Sequence, residues 1–400
     1  MLAVLGVLGL PSFAAAYELD LSVDMRAVAG SSSLSRPDGG LGKLRYDESH
    51  DGLRLGVARL GFRGDITPTL RVTAESVAYA DRDVNPLDLT ELYAQWRPIP
   101  KSLWRSSLKV GAFYPEISLE NRMRGWRSPY TLTNSALNTW VGEELRTIGA
   151  QYSLDWLGRS HSRRFDIGVS AALFGWNDSA GTVLASRGWG LTDRQSTLFG
   201  RFANRGQPLS SLTVFYDEID HRPGYHVAAT VKYLGLLEAQ LLHYDNRASL
   251  NATAPKINDT AWATFFDSLG LRWTPTADWS VISQWLHGRT YAGPDLPINA
   301  WSYDAEFLLA SLKRGATRYS ARLDHFSSQQ TASNFYSTLD LFFGDSGHAW
   351  TLSSEHQFNS HWSVTVEAVQ VASVVNQRAL IGVPTQANER QWQAALRYER

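Results

Sequence analysis

The stretch Tyr17-Glu18-Leu19-Asp20-Leu21-Ser22-Val23-Asp24-Met25-Arg26 decides the fold. Apolar side chains occupy every odd position and polar ones every even position. Successive side chains of a strand point to opposite faces, so this pattern makes a strand with one apolar and one wet face. The same alternation recurs in Leu145–Leu154, Phe165–Leu173, Tyr225–Tyr233, Tyr303–Leu309, Tyr319–Leu323 and Trp362–Ala368. Near the end, Trp392, Ala394, Leu396 and Tyr398 alternate with Gln391, Gln393, Ala395 and Arg397. Helical periodicity is nowhere sustained.

Repeated strands of this kind need either a soluble core or lipid for their apolar face, and composition narrows the choice. The 400 residues are 44% hydrophobic and 12% aromatic, with 38 basic against 39 acidic side chains and no cysteine. Without cysteine there is no disulfide framework, thiolate metal site or cysteine nucleophile. A formal net charge of -1 supplies no bulk attraction to nucleic acid. Mean hydropathy is -0.25, and no apolar run approaches the ~20 residues a spanning helix needs. A large soluble fold or a transmembrane β-barrel remains, since alternation hides a barrel's lipid face from window averages.

The amino terminus points to export. Leu2–Leu10 is almost wholly apolar and is followed by Pro11, Ser12 and the small residues Ala14-Ala15-Ala16, so residues 1–16 read as a signal peptide. Residues 17–400 show no linker or shift in composition and read as one barrel domain.

Connection lengths alternate. Short turns such as Asp65–Pro68, Thr274–Asp278 and Phe358–His361 are followed one strand later by long polar loops. The long set comprises Gly30–Gly52, Glu116–Glu143, Asn177–Asp193, Asp245–Thr260, Ala292–Ala300, Ser327–His348 and Ser373–Glu389. A barrel inserted from one side has short periplasmic turns and long external loops. Aromatic residues flank the short turns: Trp96 and Trp104, Trp273 and Trp279, Phe358 and Trp362, with Trp156, Tyr233 and Tyr398 at equivalent strand ends. Such rings favour a membrane interface, where an apolar body and a polar tip are both satisfied. The segments number about 18 strands at roughly 20 residues each. Sixteen is the alternative, because Pro86, Asp88 and Leu236–Leu237 blur two boundaries.

Catalytic signatures are missing: no Gly-x-Ser-x-Gly elbow, no His-Glu-x-x-His helix and no phosphate-cradling loop. His356 and His361 straddle a short turn and read as surface residues, so neither a metal nor a cofactor is expected. A lipase-like or acyltransferase-like barrel needs only a serine, a histidine and an orienting group brought together in space, and stands as one alternative. A secreted soluble β-protein that binds glycans through its aromatics is another.

The segment Phe113–Arg146 carries too many apolar and aromatic residues for a solvated loop. Trp126, Tyr130, Leu137 and Trp140 need a packing surface, and the inner barrel wall is the nearest one. This third external loop is therefore expected to fold inward and narrow the lumen. It would bring Arg122, Arg124 and Arg127, with Glu116, Glu120, Glu143 and Glu144, to a constriction with a transverse field. The competing reading is that these residues pair with one another and only hold the loop. Inward positions on the strands are assigned to Arg71, Lys109, Arg146, Arg201, Lys232, Arg272, Arg318 and Arg322. Asp24, Glu75, Glu91, Asp304, Glu306, Asp324, Glu355 and Glu367 are assigned to the same face.

The order of Leu89–Trp96 (Leu-Thr-Glu-Leu-Tyr-Ala-Gln-Trp), Leu108–Phe113 (Leu-Lys-Val-Gly-Ala-Phe), a Glu-rich loop and a Gly-Ala-Gln-Tyr strand resembles Gram-negative outer-membrane porins, most of all the phosphate-selective type. The resemblance covers chiefly Leu53–Phe174. It implies a homotrimer inserted by the barrel-assembly machinery among outer-membrane lipid, with Arg122, Arg124 and Arg127 as anion contacts. The expected function is passive diffusion of small hydrophilic solutes or ions, without a catalytic step.

Overall fold

Backbone polar groups at lipid depth have no water to bond, so a spanning sheet must close on itself. The computed structural model describes residues 17–31, 35–80, 87–200, 215–254, 259–293, 299–333 and 343–400, and shows this closure. The expected export segment and Arg201 lie outside the described residues. The wall is a closed antiparallel barrel of 16 strands. They are β1 (Tyr17–Gly30), β2 (Gly52–Thr67), β3 (Leu70–Ala78), β4 (Leu87–Trp96), β5 (Trp104–Phe113), β6 (Thr147–Trp156), β7 (Phe165–Gly175) and β8 (Gly224–Tyr233). The circuit continues through β9 (Leu237–Asp245), β10 (Trp262–Trp273), β11 (Trp279–Ala292), β12 (Asn299–Arg314), β13 (Thr317–Ser333), β14 (Gly344–Gln357), β15 (Trp362–Val375) and β16 (Gln386–Glu399). Closure joins β1 to β16 in register from Ser22 opposite Glu399 to Gly30 opposite Gln391. It is finished at the rim by reciprocal 2.9 Å bonds between the backbones of Leu21 and Arg400.

The count is 16, the lower of the two sequence readings, and the reason lies between β7 and β8. These strands pair directly, from Phe165 opposite Tyr233 to Phe174 opposite Gly224, so no strand of the wall lies between them. The described parts of the connecting segment turn into the lumen and include helix α2 (Thr182–Arg187). The boundary at Leu236–Leu237 is real. Leu234 and Gly235 both take positive φ, 51° and 75°, and Leu236 N–H donates to Tyr233 O at 2.9 Å, which makes the mirror-image turn suited to a tight hairpin. Two expected loops are shorter than read. Strand β13 runs on through Ser327-Ser328-Gln329-Gln330-Thr331, and β15 continues to Val375.

Short turns and both described chain ends share one rim, and the long connections occupy the other. Exposed Trp96, Trp104, Trp273, Trp279, Tyr319 and Trp362 ring the short-turn rim. Trp104 faces Trp156 across its strand pair, and Trp362 lies 5.0 Å from Tyr398. Outside, β1 to β8 present a largely apolar band. Val169, in mid-strand on β7, is 49% exposed with Tyr152 and Val227 exposed on the neighbouring strands.

One correction concerns β12. Asp304 and Glu306, assigned to the lumen, point outward, while Tyr303, Ala305, Phe307 and Leu309 face in and are fully buried. Period two does not say which face meets lipid. Here the apolar face is needed as a bed for the inward loops.

If the outer band meets hydrocarbon, Val169→Arg lowers folding stability in phospholipid vesicles by about 2–4 kcal/mol. Denaturant titration of refolded barrels measures this.

Candidate functional site

The lumen is the candidate site, and the third long loop, residues 114–146, shapes it. The loop leaves β5 and crosses to the far wall. Ile117 and Leu119 exchange backbone bonds with the Gln284 amide on β11, both 2.8 Å. Leu132 N–H donates to Glu367 on β15 at 2.6 Å, and Ala136 N–H donates to Asp324 on β13 at 3.1 Å. The loop ends in helix α1 (Ala136–Glu144), started by Ser135, whose side chain accepts from Asn138 N–H at 3.2 Å. Every residue of α1 is buried, so the helix is packed on all sides. Trp140 is its centre, with ring centroids 5.2 Å from Tyr303, 5.3 Å from Phe266 and 6.0 Å from Trp189. These edge-to-face contacts suit aromatic quadrupoles. Trp189 comes from the inward segment after β7, and its indole N–H donates to Ser327 O at 2.8 Å.

A third segment joins them from the loop after β1. Leu44 bridges Leu191, and Lys43 reaches Asp345 at 2.7 Å and Trp189 O at 3.0 Å. Burial pulls the Lys43 ammonium down to about 8, against the opposing pull of Asp345. Asp193 is also buried. Arg26 at 2.6 Å and Arg45 at 2.9 Å overcome that burial and hold its carboxyl well below the usual range.

The sequence-predicted constriction residues separate. Arg122 forks onto Glu238 of β9 at 2.8 and 2.9 Å. Arg124 turns the opposite way, to Glu18 and Asp20 of β1, and Arg127 pairs with Glu399 of β16. The three arginines thus tie the loop to carboxylates on both sides of the lumen, and do not form one cluster. Glu120 is fully buried as a structural anchor: Arg322 binds it at 2.7 Å while also reaching Asp324 at 2.8 Å, Thr133 O at 2.7 Å and Asn134 O at 2.9 Å. Glu143 pairs with Arg36 at 2.8 Å. Glu116 accepts from Lys109 at 3.2 Å and is the expected carboxylate that stays beside open space. Among the expected lining residues, Arg71 pairs with Asp65 at the short-turn rim. Arg146 is buried 3.6 Å from the Tyr114 ring centroid, and Arg318 bonds Ser311 at 3.2 Å.

Open space remains on one side. A cavity of about 500 Å³ runs from Arg97 and Leu157 at the short-turn rim, along the inner wall of β4 to β9, to the underside of the loop at Pro115, Ser118, Asn121 and Trp126. Its lining carries Arg97, Arg105, Lys109, Arg122 and Lys232 against Glu91, Glu116, Asp155, Asp166 and Glu238, five of each sign. Sequence reading missed Glu238, Asp155 and Arg105 as lining. Each alternates with outward apolar neighbours, Leu237, Trp156 and Trp104, which was the available signal.

Glu144 joins the two inward loops. It accepts from Val183 N–H at 2.7 Å and Leu184 N–H at 3.1 Å at the start of α2, and from the Trp140 indole. Burial pushes its carboxyl up to about 7, against the pull of those donors. A carboxyl that holds its proton more tightly when docked than when free favours docking most below about pH 4.5, and that advantage is lost as pH rises through about 7. Amide exchange across 182–187, corrected for intrinsic rates, is therefore faster at about pH 8.5 than at about pH 5.5. Glu144→Gln removes most of this difference.

No protein-family model and no curated protein sequence matches the chain. Solved structures do. The outer-membrane channel DcaP of Acinetobacter baumannii superposes with a TM-score of 0.58 at 13% identity, covering 98% of this chain and 100% of that one. OmpT, an outer-membrane protein of Vibrio cholerae, gives 0.52 at 8%, covering 98% and 99%. OmpF of Salmonella typhi, solved with daunomycin, gives 0.52 at 10%, covering 96% and 97%. With such low identities the likeness is one of fold, and in fold the chain is a porin-like, closed 16-strand β-barrel.

Proposed function

We propose that this barrel is a passive channel for small hydrophilic solutes or ions, with no catalytic step. The observation that carries the reading is the cavity of about 500 Å³ along β4 to β9, lined by balanced charge and roofed by a loop that is tethered to the wall at both sides. Opposed charges facing a narrow opening orient polar solutes without binding them tightly, which permits passage. Arg105 with Asp155 at 2.9 Å and Arg122 with Glu238 at 2.8 Å set up such a field at two levels. Their balance supports weak ion selectivity rather than the basic lumen that the phosphate-selective resemblance implies.

The serine, histidine and carboxylate cluster on the loop after β1 does not favour hydrolysis. His50 faces Asp47 with Nδ1 at 2.7 Å and Asp38 with Nε2 at 3.2 Å, so both ring nitrogens already meet carboxylates. A hydroxyl nucleophile needs one of them as its base.

Purified protein in planar bilayers gives discrete conductance steps. Arg122→Ala leaves Glu238 only its 3.7 Å partner Lys232 and moves the reversal potential toward cation preference, and Glu238→Gln moves it toward anions. Trp140→Ala weakens loop docking by about 3–5 kcal/mol and raises single-channel conductance. Absence of steps, accompanied by release of fatty acid from phospholipid, would replace this reading with an enzymatic one.

A further inference from the structure

On the outer face of β12, β13 and β14, the apolar side chains stop at one row, made of Glu306, His325 and His348. One outward step toward the short-turn rim stand Leu308, Leu323 and Trp350. One step the other way stand Asp304, Ser327 and Ser346. The row therefore marks the external edge of the apolar stretch, with lipid-facing residues on one side of it and polar ones on the other.

The three side chains are in register. Glu306 stands directly opposite His325, and His325 directly opposite His348. Residues that face each other across an antiparallel pair have Cβ atoms about 4.5–5.5 Å apart, so the row gathers a carboxylate and two imidazoles on one patch of surface. Glu306 and His325 already approach, with Oε1 3.6 Å from Nδ1. Two ligands of a tetrahedral ion, each about 2.0–2.1 Å from it, stand about 3.3 Å apart. On its other side His348 faces Ala372 of β15, which has no polar group to draw the imidazole away from His325. The strands behind the row are held firmly, because Ala305, Phe326 and Ala349 on their inner face belong to the packed core. The outward histidines of the neighbouring row do not converge in this way. His243 and His287 stand two strands apart, each with Nδ1 2.7 Å from its own aspartate, Asp267 or Asp304.

We propose that Glu306, His325 and His348 bind Zn²⁺ at the external edge of the barrel, with water completing the coordination. Two imidazole nitrogens and one carboxylate suit Zn²⁺, whereas Ca²⁺ and Mg²⁺ take sets of oxygens. The ion joins three consecutive strands from outside, on the arc that carries the inward loops on its other face. An imidazole must be deprotonated to act as a ligand, so acid releases the ion.

The full chain, purified in detergent and stripped with a chelator, is titrated with ZnCl₂ by calorimetry. The native barrel shows a saturable site that weakens as pH falls from about 7.5 to about 5.5. His325→Ala and His348→Ala each lower its affinity by at least about tenfold, since losing a ligand costs no less than losing a group that supports one. His243→Ala leaves it unchanged. So does His50→Ala, because both nitrogens of His50 already meet carboxylates, Asp47 and Asp38. Co²⁺ in place of Zn²⁺ gives the visible absorption of a tetrahedral ion, and the double variant His325→Ala with His348→Ala loses it. Zn²⁺ raises the unfolding temperature of the native barrel and not that of the double variant. Glu306 and His325 are 59% and 61% exposed, and heat-dependent gel migration shows that the variants fold. Zinc affinity that is unchanged in the double variant overturns the proposal, as does a native barrel that takes up no Zn²⁺. Loss of binding in His50→Ala with none in the double variant also overturns it, since the ion would then sit on the loop after β1.

Discussion

Closure of the sheet is the constraint on which everything else rests. An open sheet leaves the backbone N–H and C=O groups of its edge strands unpaired, so β1 closes on β16, and the register that joins Ser22 to Glu399 determines where every side chain points. Once the ring closes at 16 strands, any segment too long for a turn has two places to go: out past the rim or into the lumen. Apolar content decides between them. The loops carrying Leu44, Trp140 and Trp189 go in, and the strands that receive them turn their apolar faces inward.

This inward core is built much like that of a soluble protein. Several buried charges within it are paired: Arg322 meets Glu120 and Asp324, Arg26 meets Asp24 and Asp193, and Arg378 meets Glu389 at 2.7 Å. Burying an ion pair costs desolvation, and removing one partner costs more than the pair contributes. Such pairs hold loops in one register more than they add stability, and here they bind three separate loops to β13, β1 and β16.

Much of the wall was legible because period two, short turns and turn-flanking aromatics are local signals. Tyr17–Arg26 reads directly as β1, and Asp65–Pro68 as a turn at the short rim. The inward fold of Phe113–Arg146 was legible for the same reason, since its tryptophans have no place in water. What escaped was non-local. The stretch Asn177–Asp193 reads as a polar external loop, and only the structure shows α2 buried within it with Glu144 accepting from the backbone at its start. Asp304 and Glu306 alternate correctly but on the opposite face, because alternation carries no sign for inside or outside. Arg122, Arg124 and Arg127 are close in sequence yet reach opposite walls, since their partners, Glu238, Asp20 and Glu399, lie far along the chain.

The one-sided packing also divides the cylinder mechanically. From β10 to β13 the wall is backed by close-packed aromatics, which resist deformation as a protein interior does. From β4 to β9 it is backed by solvent and by side-chain pairs that can break and re-form at little cost. Thermal breathing of the cross-section is thus concentrated in the compliant half. That half also borders the open path, so its aperture fluctuates with the wall itself while the stiff half serves as a fixed frame.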